Sequence, residues 1–185
     1  MTAALLALIC LASPAPETQA GLQSLLVRLG DALTRGDGEA AAAAYDFGDL
    51  LDQSVASRLM QPLPRGERRH FERAMPASHA KRAAALAPVL NWQHTEILKT
   101  DVVEGGRYRL TVRHRSERLN TVFRRRYWVR PGLWGWRIYD VEDVDVGVRQ
   151  SEALAAGLTA GRAEATPPWI PKVQALWGLV GTIQA

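Results

Sequence analysis

Two groups of side chains in this sequence have the types that catalysis uses. The first is Tyr139, Asp140, Asp143 and Asp145, gathered in one short aromatic-rich stretch. Carboxylates and a phenol set in an apolar cone have their pKa values moved by burial, which is how small domains obtain acids and bases. Strand alternation, however, turns Asp143 and Asp145 away from the neighbouring valines and toward solvent. The second group is His70, His79, His94 and His114, whose spacing matches no metal-ligand pattern. The sequence has no nucleophile elbow, phosphate-binding loop or zinc motif. The expectation is a protein that is not an enzyme and holds no metal or cofactor. The alternative is an enzyme or small-molecule-binding domain with an Asp/Tyr-lined pocket.

A third group is cationic. Arg113, Arg115, Arg124, Arg125, Arg126 and Arg130 fall on two neighbouring strand-like segments, in a chain of net charge +4. Such a surface suits anionic lipid or an acidic partner. With Tyr108, Tyr127 and Trp128 as stacking platforms it would suit single-stranded nucleic acid. It also suits a plain solvated strand face.

These groups sit on elements that the sequence pattern specifies. The strongest strand signal runs from Gly135 to Val148 and reads as one long strand. Trp136 and Ile138 point to one face, and Arg137, Tyr139 and Val141 to the other. Trp136 is expected to be buried. Upstream, Glu96–Val103, Arg107–Arg115 and Thr121–Val129 also show period two, and Glu104-Gly105-Gly106 forms a hairpin turn. Tyr108, Leu110 and Val112 share one inward face, as do Phe123, Tyr127 and Val129.

Helical spacing comes first in the chain. Leu22, Leu25, Leu26, Leu29 and Leu33 form one stripe. Glu39–Ala44 is alanine-rich, and Asp46 is placed to cap a helix carrying Phe47, Leu50, Leu51 and Val55. Pro64 opens a further helix with Phe71 and Met75, which Pro76 should interrupt. Ser78–Leu86 and Arg149–Leu158 are two more helical segments. Helices followed by four or five sequential antiparallel strands make an α+β layout.

The ends of the chain read differently. Ala3 to Ala12 is apolar but too short to cross a bilayer. Ser13, Pro14 and Pro16 break it, and Thr18-Gln19-Ala20 offers small residues for cleavage after Ala20. Residues 1–20 are therefore expected to be a signal peptide, with a lipoprotein using Cys10 and a buried N-terminal helix as the alternatives. Removal leaves 165 residues without cysteine, which suits a bacterial periplasm and argues against nucleic acid. Residues 21–160 form the main domain. Residues 161–185 form a proline-rich linker and an amphipathic helix with Val173, Leu176, Trp177, Val180 and Ile183. That stripe is expected to dock on the domain as a lid, with a membrane or a partner subunit as the alternatives.

Three segments in order resemble one family. Asp46-Phe47-Gly48-Asp49-Leu50-Leu51 looks like its aspartate–phenylalanine helix start. Leu63-Pro64-Arg65-Gly66-Glu67-Arg68-Arg69-His70-Phe71 is similar to its next conserved helix entry. Tyr127-Trp128-Val129-Arg130 followed by Gly135-Trp136-Arg137-Ile138-Tyr139-Asp140-Val141 resembles its most recognisable strand pair. The family is the MlaC-type, or toluene-tolerance, group of periplasmic phospholipid shuttles, and the resemblance covers roughly residues 22–158. The chain departs from the pattern at Pro76, at Pro88, around Arg149-Gln150-Ser151, and in its extra tail.

The resemblance implies helices wrapped on a twisted, mostly antiparallel NTF2-like or cystatin-like sheet, with an apolar pocket between the layers. It also implies no catalytic residues. The implied partners are a phospholipid and a membrane-associated ABC lipid-transport complex, with no nucleic acid, and the protein is expected to be a periplasmic monomer. Candidate pocket residues are Phe47, Leu51, Phe71 and Met75 on helices, and Tyr108, Leu110, Val112, Phe123, Tyr127, Ile138 and Val144 on strands. The competing reading is that these side chains fill an ordinary core.

Overall fold

The structure, a computed structural model, describes residues 14–87, 92–117 and 119–159. The apolar N-terminal run with Cys10, Pro88, and the linker and tail helix from Gly161 onward lie outside the described residues. Five helices precede and follow a single sheet: α1 (Pro16–Thr34), α2 (Gly38–Ala43), α3 (Phe47–Ala56), α4 (Arg65–Leu86) and α5 (Gln150–Thr159). The strands β1 (His94–Val103), β2 (Arg107–Ser116), β3 (Thr121–Gly132), β4 (Gly135–Asp143) and β5 (Val148–Arg149) pair in that order, each antiparallel to the next. The fold is α+β.

The core follows from two periodicities meeting. Leu22, Leu25, Leu26, Leu29 and Leu33 of α1 pack on Leu110, Val112, Tyr127, Val129 and Ile138 of the sheet, all buried. Burying one such side chain contributes roughly 1.5–3 kcal/mol, so this layer dominates the stability. α1 begins at Pro16, a turn and a half earlier than the leucine stripe requires, because proline is tolerated in the first turn. Asp46 caps α3 as expected, accepting a hydrogen bond from Asp49 N–H at 3.0 Å.

Four expectations need correction. Pro76 does not interrupt its helix: α4 runs unbroken through it for 22 residues and absorbs Ser78–Leu86. Proline removes one helix hydrogen bond, but here Met75 and Ala83 are buried and α2 braces the helix. Gly38 comes so close to α4 that a Cβ there would lie 2.0 Å from the Ala80 carbonyl oxygen.

Nor is Gly135–Val148 one strand. Asp143 Oδ1 accepts from the N–H groups of Asp145 and Val146, and Gly147 N–H donates to the Asp143 carbonyl at 2.8 Å. This carboxylate-closed turn reverses the chain, so Val148 and Arg149 pair back onto β4. Within β4 the register shifts at Tyr139: Ile138 opposes Val129, Asp140 opposes Trp128 and Val141 opposes Tyr127. The extra residue puts Val141 on the same side as Ile138, against the simple alternation. Finally, Trp136 is half-buried rather than buried, resting edge-on against Tyr108 at 5.4 Å.

Candidate functional site: an apolar cleft beside the packed core

A corner of the helical layer stays open. α3 ends at Ala56, and Arg58 takes a left-handed φ of +62°. The chain then runs through Gln61, Pro62, Leu63 and Pro64 without regular structure until α4 begins. Between this segment, the first half of α4 and the end of α5 lies a cleft of about 900 Å³. Its apolar wall is Met60, Leu63, Phe71, Ala74, Met75 and Leu158. Arg58, Glu67, His70 and Ser78 form a polar rim.

Phe71 and Met75 lie one helical turn apart on α4 and present one face to the cleft. Met60 and Leu63 come from either side of the Gln61-Pro62 break. Behind the wall, Leu51, Met60 and Ala155 form one small buried cluster, and Ala42, Phe47, Leu50 and Met75 form another. Methionine adapts its shape to irregular apolar guests, so a wall of two methionines and one phenylalanine suits a flexible chain. Arg68 fastens α4 to α3 outside the cleft, donating to both Asp52 oxygens at 2.6 and 3.1 Å and to Glu72 at 2.8 Å. Those hydrogen bonds hold the guanidinium protonated.

A second cleft of about 850 Å³ lies between α1 and the β1–β2 edge. Its lining is mixed, with Asp31, Glu96, Arg113 and Arg115 beside Leu26, Val27, Trp92 and Val122. Arg113 and Glu96, opposed on β2 and β1, pair along its sheet wall at 2.5 Å. Trp92 closes its floor, and the indole Nε1 is buried without a hydrogen-bond partner.

Under Trp92 sits a buried histidine that the spacing argument passed over. His114 is fully enclosed and stacks on the Trp92 ring at 4.0 Å. Its Nδ1 lies 3.0 Å from Thr95 Oγ1 and its Nε2 lies 2.8 Å from the Tyr127 hydroxyl. In the neutral ring one of these nitrogens donates and the other accepts, so both are engaged. Burial, then the Arg125 charge, pushes the His114 pKa down to about 3, so the ring is neutral near pH 7. Burial pushes the Tyr127 hydroxyl up. His79, wedged between Tyr45 and Phe47, is pushed down to about 4 by burial and then by Arg82.

The acidic residues of the aromatic stretch do mechanical work. Asp140 is fully buried and accepts from Ser151 N–H at 3.1 Å, Ser151 Oγ–H at 2.7 Å and Val141 N–H at 2.9 Å. Arg149 completes the shell at 2.5 Å and lies over Trp128, 4.2 Å from the ring centroid. The carboxylate therefore ties β4 to the first turn of α5, where the helix dipole also favours it. Asp143 closes a turn, and Asp145 accepts from Arg124 at 2.7 Å. The arginine rows are mostly paired. Arg126 meets Glu142, and Arg130 meets Asp46 and Asp49 from across the fold. Arg125 faces the interior, its guanidinium 5.1 Å from the Trp92 ring centroid.

Of the candidate pocket residues, Phe71 and Met75 line the apolar cleft, and Phe47 and Leu51 pack just behind it. Leu110, Val112, Tyr127 and Ile138 are fully buried against α1, with Tyr108 beside them, and line neither cleft. Phe123 is half-buried elsewhere on the sheet, and Val144 is half-buried in the turn between β4 and β5. The apolar space therefore lies among the α3–α4 connection, α4 and α5, not between α1 and the sheet. Met60, Leu63 and Leu158 were missed. The signal for the first two was a pair of apolar residues bracketing Gln61-Pro62 in a break that no helix needed.

No family model matches this sequence, and no curated protein resembles it in sequence. Among solved structures, the fold is similar to that of a phospholipid-binding protein from Ralstonia solanacearum solved with a phospholipid bound. The TM-score is 0.56 at 15% identity, over 78% of this chain and 88% of that one. A domain of unknown function with a cystatin-like fold from Nostoc punctiforme superposes with a TM-score of 0.46 at 12% identity, over 92% and 99% of the two chains. At these identities the first likeness establishes a shared fold.

Proposed function

We propose that this protein is a phospholipid carrier that shields acyl chain in the Met60–Phe71–Met75 cleft. The observation behind this reading is that cleft: about 900 Å³, walled by soft apolar side chains and rimmed by polar ones, near the top of the roughly 300–1,000 Å³ typical of small-molecule sites. The fold it shares with a phospholipid-bound protein supports the same reading. Each methylene taken out of water contributes roughly 0.8 kcal/mol, so ten enclosed methylenes supply about 8 kcal/mol. We further propose, from the signal-like start and the family resemblance, that the chain is exported, acts without catalysis, and passes its lipid between membrane-associated transport complexes.

An acid–base enzyme is the second reading, and His114 with Tyr127 is the observation that favours it. The geometry counts against it. Both imidazole nitrogens are engaged, the ring is enclosed beneath Trp92, and it lines neither cleft. Asp140 likewise has every oxygen engaged by donors.

Native mass spectrometry of the intact protein, purified without detergent, tests the carrier reading. Adducts with phospholipid masses are expected, recovered as phospholipid on solvent extraction. Protein that is reproducibly empty, and takes up no lipid from vesicles, would sink it.

A further inference from the structure

The β3–β4 hairpin ends in an exposed apolar tip. Leu133 is 95% exposed and Trp134 85%, whereas the next most exposed large apolar side chain among the described residues, Val102, reaches 60%. The hairpin also runs past its neighbour strand. β2 last pairs with β3 at Tyr108–Val129, while β3 and β4 continue through Arg130–Arg137, Pro131–Trp136 and Gly132–Gly135. At about 3.3 Å per residue, the arm stands roughly 10 Å beyond its neighbour strand. Gly135 takes a φ of +105°, which lets the two-residue loop close with both side chains pointing outward.

Leaving these two side chains in water is unfavourable, and nothing in the fold requires it. Neither belongs to a core cluster, and the strands pair without them. The hairpin just behind the tip is flanked by cations. Arg137 is on the hairpin itself, and Arg28 of α1 reaches within 3.8 Å of where a Gly135 Cβ would stand. Among the described residues, no carboxylate pairs with either guanidinium within 4 Å.

We propose that the Leu133–Trp134 tip is a membrane-docking wedge, which inserts into the interface of an anionic bilayer while Arg28 and Arg137 meet its phosphates. Tryptophan favours that interfacial depth, where its ring is apolar and its N–H remains wet. A protein partner fits less well. A stable protein interface buries about 800 Å² on each side, and two side chains supply a fraction of that. A bilayer needs no complementary surface, and a two-residue wedge grips weakly enough to let a carrier leave again. The proposal stands apart from what fills the cleft.

Flotation of the full-length protein with mixed phosphatidylcholine–phosphatidylglycerol vesicles tests it. The wild type is expected to co-float. Replacing Leu133→Ser and Trp134→Ser together should weaken partitioning by roughly a hundredfold, since each apolar side chain contributes about a tenfold factor. Trp134→Phe should keep most of the binding. Arg28→Glu with Arg137→Glu, or vesicles of phosphatidylcholine alone, should weaken it by about tenfold. The tip variants should melt like the wild type, because the side chains touch no core. A wild type that stays free of vesicles overturns the proposal and leaves a protein as the tip's partner. So does a double-serine variant that floats as well as the wild type, which would place membrane contact elsewhere in the chain. Docking by protein that carries no lipid would uphold the wedge and remove the carrier reading; lipid-loaded protein that never docks would do the reverse.

Discussion

The α1–sheet layer and the α3–α4–α5 corner use similar apolar side chains, yet one is filled and the other holds a cleft. In the first, leucines recurring every three or four residues meet a sheet face of Leu110, Val112, Tyr127, Val129 and Ile138 and bury it, the second cleft lying only at the β1–β2 edge of that layer. In the second, a left-handed Arg58 and two prolines carry the chain away from α3, and α4 buries only Met75 and Ala83 along its 22 residues. Backbone geometry made the hollow; side-chain hydrophobicity is the same on both sides. Leucine and valine pack in few rotamers, whereas methionine adapts, and Met60 and Met75 both sit at the hollow.

Acid should separate the regions most strongly, because His114 lies under the packed layer. Its folded pKa of about 3 is below the ordinary 6.5, so the unfolded chain binds the extra proton first. Stability is therefore fully present above pH 6.5 and falls as pH drops toward 3, by up to about 5 kcal/mol at 1.4 kcal/mol per unit. His79 adds a smaller loss of the same sign down to about pH 4. Urea titrations across this range should show the decline, and His114→Phe should flatten most of it while lowering the neutral-pH plateau. An unchanged acid limb in that variant would mean that the imidazole is not the buried neutral group described.

Truncation comes next. Leu110→Ala should cost about 3–4 kcal/mol, as a fully enclosed large-to-small change in the filled layer. Phe71→Ala, at a half-buried position facing the cleft, should cost about 1–2 kcal/mol and weaken lipid retention instead. Equal losses of stability would erase the distinction between core and cleft. The smallest expected change in stability comes from Ala74→Trp, an exposed site on the cleft wall. It should move the melting temperature little and yet exclude lipid, which native mass spectrometry would read directly.

Much of the filled layer was legible in the sequence, because its signals are local and periodic. The α1 leucine stripe, the Asp46 cap and the alternation of Tyr108, Leu110 and Val112 each name an element and its buried face. Where the reading failed, a side chain or a distant neighbour overrode the local pattern. Asp143 closed a turn inside an apparent strand, and one extra residue at Tyr139 turned Val141 inward. Tertiary bracing carried α4 through Pro76. The cleft was only partly legible. Phe71 and Met75 were recognisable on one helical face, but whether such a face meets a wall or a void depends on where Met60 and Leu63 of the α3–α4 connection and Leu158 of α5 arrive. His114 illustrates the same limit: a lone histidine on an alternating strand gives no sign that Thr95 and Tyr127 will occupy both its nitrogens.

The central claim concerns where the acyl chain sits. Photocrosslinking of the loaded protein with a phospholipid carrying a diazirine in its acyl tail, followed by peptide mapping, tests it most directly. The account predicts label on residues 60–78 and around Leu158, lost in Ala74→Trp. Label concentrated on Leu110, Val112 or Tyr127, or in the second cleft around Gln23 and Trp92, would contradict it.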